Sequence, residues 1–355
     1  MITKLQDIPV AQWLEKLASE TGLFRVVRTE QIHGEYDFRV VLQSDADRQV
    51  TLYAEAKSRV TPQLALGMLP GLTKVPADGH PMLCTYSVSP RVAELCRKNN
   101  VAYLDEAGNC WIRAPGLCVH VTGYPSTRPD TRPAVDPFAP LSSRIARVFL
   151  ADPSKAWTLS DLAKEANVSV GLVWKVKKAL LDEGFVQSSD KRIVLRDAAG
   201  LLDAWKKEYT VPAKKVSLYA IGKTDQLESR LCECCKSGQI RCALTGLSGA
   251  WRAAPMVRYA TVSAYVEVGS DSATVADLVR CMEAKPVDTG ANLFLYPTRD
   301  ESVFYGMRTL SGMNVVSPIQ LYLDLVQAAG RGEDAADEIM AKEIKPLFER
   351  SKPVQ

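Results

Sequence analysis

The 355-residue sequence contains no apolar run near the roughly 18 residues that a membrane span needs. Its opening stretch, MITKLQDIPVAQWLEKLASETG, has neither the apolar core nor the small-residue cleavage site of a signal peptide. Both absences point to the cytoplasm. Histidine is scarce, with only His33, His80 and His120, and none lies near the one cysteine cluster, LCECCKSGQIRC. A zinc site wants paired C-x2-C or C-x-x-H spacings. Cys232, Cys234, Cys235 and Cys242 therefore read as small buried hydrophobes on a helix. Nine cysteines is an odd number, and without an export signal reduced thiols are the expected state. No serine, cysteine or histidine arrangement suggests nucleophilic catalysis. The G-x4-G-K-[ST] loop is missing too, so Thr245-Gly246-Leu247-Ser248-Gly249 reads as a turn before a helix. Internal repeats and low-complexity tracts are absent.

What is there begins with a soluble composition, 46% hydrophobic and 24% charged, in a chain long enough for two or three domains. The clearest linker is 124–140, YPSTRPDTRPAVDPFAP, whose five prolines bar a helix or an interior strand. A softer boundary falls near 209–216. The expected organisation is an α/β domain over 1–123, a linker over 124–140, a second domain over 141–212 and an α+β domain over 213–355. In the first, a helix carrying Val10, Trp13, Leu14 and Leu17 on one stripe precedes strands FRVVRTEQ, YDFRVVLQ and VTLYAEAKS. Helices and strands then alternate as far as the hairpin NCWIRAPGLCVHV, which argues an α/β sandwich. The last domain mixes strands KVSLYAIG, VSAYVEV, NLFLYP, SVFYGM and NVVS with helices that include DQLESRLCECCKS, PIQLYLDLVQAAG and EDAADEIMAKEIKPLFER.

The net charge of +3 becomes informative once it is located. Residues 141–196 hold ten Lys/Arg, Arg144 and Arg147 among them, against six Asp/Glu, a local excess larger than that of the whole chain. A basic module in a near-neutral protein suits a phosphate-bearing partner. The same segment reads as helix, short helix capped by Thr158, turn at Asn167-Val168-Ser169, long helix capped by Ser169, and hairpin. That is the order of a winged helix-turn-helix. On the long helix Val173, Val176 and Leu180 form the dry side, while Gly171, Trp174, Lys175 and Lys178 share the opposite stripe. The DNA-binding candidates are Ser169, Val170, Gly171, Trp174, Lys175 and Lys178, with Lys191 and Arg192 at the wing tip. Double-stranded DNA is favoured over RNA because nothing resembles an aromatic stacking platform. The plain alternative is a charged, solvated face or a dimerisation module.

A second candidate lies in VTLYAEAKSR. Alternation puts Tyr53, Glu55 and Lys57 on one face, and Asp37 stands 18 positions before Glu55. An Asp, a Glu and a Lys at one sheet edge fit the PD-(D/E)xK pattern of restriction-endonuclease-like folds, in which Asp37 and Glu55 would hold Mg²⁺. Gln63, Glu15 and Glu20 are candidate auxiliary groups. The proline of the motif is absent here (GEYDF), and a solvated edge strand is the plain alternative.

Several stretches together carry a resemblance. They are YAEAKSR, VAYLDEAGNCWIRAPGLCVHVTG, LAKEANVSVGLVWKVKKALLDEGFV, LLDAWKKEY, CALTGLSGAWRAAPMVRY and QLYLDLVQAAGRGEDAADEI. Over nearly its full length the chain resembles the AbiEi family, transcriptional regulators that are the antitoxins of type IV toxin–antitoxin (abortive infection, phage defence) systems. The resemblance implies a non-enzymatic repressor, without a cofactor, that binds inverted repeats at its own promoter as a dimer on DNA. It also implies a neighbouring toxin of the nucleotidyltransferase type, opposed through the C-terminal domain without a stable complex. On this reading Asp37, Glu55 and Lys57 mark a restriction-endonuclease-like ancestry more than an activity.

Overall fold

The computed structural model describes residues 8–32, 34–127, 135–211, 214–255, 258–269, 273–328 and 330–350. His33, residues 128–134 of the proline-rich linker and residues 212–213 of the softer boundary lie outside the described residues. Contacts divide the chain into two compact units. One runs to Val135 and takes in Lys178–Gly184; the other consists of Asp136–Lys177 and the chain from Phe185 onward.

In the first unit, α1 (Val10–Thr21) leads into β1 (Phe24–Gln31), β2 (Phe38–Ser44) and β3 (Gln49–Lys57). Then come α2 (Pro62–Leu72), β4 (Gly79–Thr85), α3 (Pro90–Lys98), β5 (Ala102–Asp105), β6 (Cys110–Ala114) and β7 (Leu117–Val121). The seven strands lie side by side in chain order. Pairs joined by turns are antiparallel, and β3, β4 and β5, joined through α2 and α3, are parallel, because a parallel connection needs a crossover. All four residues of the α1 stripe are buried and share a core with Leu42, Leu52, Ala54 and Met82. On the other sheet face α2 and α3 cover Leu83 and Tyr103. The alternation of elements thus yields a sheet covered on both faces, an α/β sandwich. Helix α2 ends at Leu72, just after Pro70-Gly71. The LDEAGN stretch is structural. Buried Asp105 accepts N–H groups from Val88, Gly108 and Asn109, and Asn109 in turn clasps the backbone of Tyr124.

The second unit opens with α4 (Ser143–Ala151), α5 (Leu159–Glu165), α6 (Val170–Asp182, of which the part from Lys178 groups with the first unit), the hairpin β8 (Val186–Ser189) and β9 (Arg192–Leu195), and α7 (Ala198–Glu208). There follow β10 (Val216–Tyr219), α8 (Thr224–Ser237), β11 (Cys242–Leu244), α9 (Gly246–Ala253), β12 (Val262–Glu267), α10 (Ala273–Cys281), β13 (Lys285–Pro286), β14 (Leu293–Thr298), β15 (Arg308–Leu310), β16 (Met313–Val315), α11 (Pro318–Val326), α12 (Gly332–Ile339) and α13 (Lys345–Arg350). Its seven-stranded sheet has the order β13-β10-β14-β12-β11-β16-β15, with β12–β14 and β11–β16 parallel. The whole is a mixed α/β, multidomain architecture. Among the described residues no helix is long and apolar enough to cross a membrane.

Three expectations are corrected here. SVFYGM is not a strand: Glu301–Phe304 is a 3-10 turn, because the Asp300 carboxylate accepts the Ser302 amide and bends the chain. The helix expected to continue through EDAADEIMAKEIKPLFER widens to a π-helix over Met340–Ile344, just before Pro346, which has no amide to donate. Nor are all the thiols free. Cys234 of α8 and Cys281 of α10 form a disulfide, with the two cysteine Cα atoms 5.9 Å apart. Cys242 lies on β11 rather than on the helix.

Candidate nucleic-acid interface

Two caps and a turn position α6. Thr158 Oγ1 accepts the Asp161 amide at 3.1 Å and starts α5. Asn167 takes a left-handed conformation (φ 51°), and Ser169 Oγ then accepts the Leu172 amide at 3.2 Å. Gly184 (φ 73°) closes the far end, where a left-handed residue suits glycine. Along α6 the spacing of three and four puts Val173, Val176 and Leu180 fully inside.

The other stripe faces solvent. Ser169, Val170, Gly171, Trp174, Lys175 and Lys178 are all exposed, Val170 by 47% and Trp174 by 55% of their surface. Gly171 is the most telling of them. A Cβ built there would meet nothing nearer than Ser169 Oγ at 4.0 Å, so the chain's own packing does not require glycine. Glycine inside a helix costs about 1 kcal/mol relative to alanine. Among the described residues Lys175 and Lys191 make no ion pair, which leaves their charge available to a partner.

The hairpin after α6 turns on Asp190 (φ 48°) and Lys191 (φ 63°), two left-handed residues between the paired Ser189 and Arg192. This is the two-residue turn that matches strand twist, where Asn and Gly are usual. A lysine there accepts an uncommon backbone conformation and carries its charge to the tip. Trp157 adds a bridge to Ile193, with paired backbone bonds of 2.9 and 2.7 Å, so the hairpin is fastened to the segment between α4 and α5.

One count needs correcting. Arg147, included in the basic excess of 141–196, is only 3% exposed. Its Nη1 donates to Gln320 Oε1 at 2.6 Å and its guanidinium lies 5.0 Å from the Trp205 ring centroid, while burial lowers its pKa. It contributes nothing to an outer face. Beyond it lies a polar network that sequence reading missed. Asp324, buried on α11, accepts from Tyr209 (2.5 Å), Tyr265 (2.9 Å), Thr245 (2.5 Å) and Gln320 Nε2 (2.8 Å). Burial raises its pKa and the four donors oppose the rise. The available signal was Gln320 and Asp324, four apart, inside the otherwise apolar run PIQLYLDLV.

In the first unit the nuclease-like residues share one neighbourhood. Asp37 precedes β2, and its Oδ2 accepts the amide of Ala56, the residue between Glu55 and Lys57, at 2.8 Å. Glu55 and Lys57 pair with each other at 2.6 Å. Glu15 and Glu20 do not join them: α1 packs on the sheet face opposite Tyr53, and both acids are exposed on it. Gln63 is half-buried, with its Oε1 unpartnered. Both carboxylates are thus already answered, one by an amide and one by an ammonium. Among the described residues no three His, Cys, Asp or Glu side chains are placed to hold a metal ion.

No curated protein matches the chain. The family match begins at Arg192, the first residue of β9, and leaves α6 outside it. Residues 192–345 match the AbiEi family, described as transcriptional regulator, AbiEi antitoxin, type IV TA system.

Proposed function

We propose that this protein is a DNA-binding repressor of its own operon and the antitoxin of a type IV toxin–antitoxin pair, with residues 141–212 acting as a winged helix-turn-helix. The observation that carries the reading is the exposed stripe of α6, cationic at Lys175 and Lys178 and bare at Gly171. Laid in a major groove, such a face brings backbone close to the duplex while the lysines neutralise phosphates. Lys191 and Arg192 then reach the flanking backbone. The match of 192–345 to antitoxin regulators supports the same reading from the other end of the chain. The domain over 1–123 is a restriction-endonuclease-like scaffold without catalytic work, and the partner toxin is of the nucleotidyltransferase type.

The test is a mobility shift on the inverted repeats upstream of the protein's own gene. Affinity should fall steeply with salt, and Lys175→Ala or Lys178→Ala should each reduce the salt slope by about 1. Retention of full affinity and an unchanged slope by both variants refutes the assigned face.

A further inference from the structure

Towards its β13 edge, the sheet of the second unit carries a row of aromatic side chains. Phe294 pairs with Ser217 and Tyr296 with Tyr265, so alternation puts Ser217, Tyr219, Phe294, Tyr296 and Tyr265 on one face. Lys285 pairs with Tyr219 and joins that face. Leu218, Leu293 and Leu295 take the other face and are fully buried. Cover on the aromatic face is uneven. At β12, Tyr265 has no exposed surface and donates to Asp324 of α11 at 2.9 Å. Further out, Tyr296 and Phe294 are half-buried, and Tyr219 is 47% exposed.

Neighbouring positions on such a face lie about 7 Å apart, along β14 from Phe294 to Tyr296 and diagonally from Phe294 to Tyr219. Rings at that spacing let successive unstacked bases each take one. The charges agree with such a ligand. Strands β10, β13 and β14 carry no acid, and Lys214, Lys215 and Lys285 are all exposed. Lys215 Nζ stands 5.0 Å from the Phe294 ring centroid, which places a cation over the row itself. The acids next to these strands in the chain are Glu283, paired with Arg230 at 3.8 Å, Asp300, paired with Arg144 at 3.0 Å, and the exposed Asp288. Among the described residues none of the three lysines makes an ion pair, so they outweigh Asp288. The Ser217 hydroxyl, half-buried on the same face, has no hydrogen bond among the described residues. A group that both donates and accepts matches a ribose 2′-hydroxyl.

We infer that this face binds a short single-stranded segment of RNA, with bases stacked on Tyr219, Phe294 and Tyr296, phosphates against Lys215 and Lys285, and a ribose hydroxyl at Ser217. The rings lie on strands that are neighbours only in the sheet, which is why the sequence shows no stacking platform. Binding here goes beyond the operator reading of α6 and does not depend on it.

Fluorescence anisotropy of the full chain with labelled oligouridylate tests this, with oligodeoxyuridylate of the same length as comparison. Expected is saturable binding of the RNA, weaker for the DNA that lacks the 2′-hydroxyl. Tyr219→Ala removes an exposed ring and should weaken RNA binding about tenfold, while Tyr219→Phe keeps the ring and should retain it. Lys285→Ala should reduce the salt slope by about 0.7, the value for one phosphate of a single strand. Lys175→Ala, on α6, should leave RNA binding unchanged, so failure of the operator reading and failure of this one are distinguishable. If Tyr219→Ala does not fold, Lys285→Ala, on an exposed two-residue edge strand, decides through the slope. Absence of saturation, indifference to Tyr219→Ala, or oligodeoxyuridylate bound as tightly as oligouridylate overturns the inference.

Discussion

Gly171 separates a solvated helix face from a docking face better than any lysine, because the two predict opposite results for one substitution. Space around it is open, so Gly171→Ala should stabilise the protein, by up to about 1 kcal/mol, through helix propensity alone. If a duplex backbone approaches there, the added methyl should also lower operator affinity. Gain of stability with unchanged affinity would leave the face merely solvated. Chemical denaturation and a mobility shift on one preparation read both. At the same scale, Glu55 is held by Lys57 and Asp37 by an amide, so plasmid incubated with the protein and Mg²⁺ or Mn²⁺ should stay intact. Cleavage that disappears in Glu55→Ala would reverse the ranking of the two sites. These residues were readable in the sequence because spacing alone sets which side of a helix or strand a residue takes. Which of them are already satisfied was not readable, since that depends on groups distant along the chain.

At the scale of elements, α11 shows what periodicity hides. Every residue from Ile319 to Leu325 is buried, so the helix has no polar side to align with solvent. Asp324 is instead the inner acceptor for donors from the end of α7, from β12 and from the residue before α9, while Gln320 accepts from Arg147 of α4 and donates to Asp324. Asp324→Ala strands those donors together. A loss of at least about 3 kcal/mol, seen as a lowered denaturant midpoint, is expected. Asp324→Asn, which keeps an acceptor, should lose less. By contrast, the caps at Thr158 and Ser169 and the α1 stripe follow from local pattern and take the positions that pattern assigns. The expected strand SVFYGM fails because Asp300 competes locally for the backbone, and hydrophobicity cannot register that.

At the scale of the whole molecule, the disulfide is the clearest departure from expectation. Cys234 and Cys281 are 47 residues apart, and chain-entropy reasoning for a loop of that size gives about 4 kcal/mol against the unfolded state. Alkylation in denaturant should label seven thiols without reductant and nine with it, and reduction should lower the melting temperature. Nine labelled thiols before reduction would show that the bond does not form in the isolated protein. Composition argued for reduced thiols from their number and from the lack of an export signal. Proximity of α8 and α10 overrode that, and proximity is a property of packing.

The division of labour is physical. Periodicity, caps and turn residues act over a few positions, so the sequence alone determined most of the helices and strands, the alternation along β3 and the exposed cationic side of α6. Satisfaction of a buried group depends on partners far along the chain, as Arg147 and Gln320 are, or Tyr209 and Asp324. Only the tertiary structure decided that Arg147 faces inward and that Asp37 accepts the amide of Ala56.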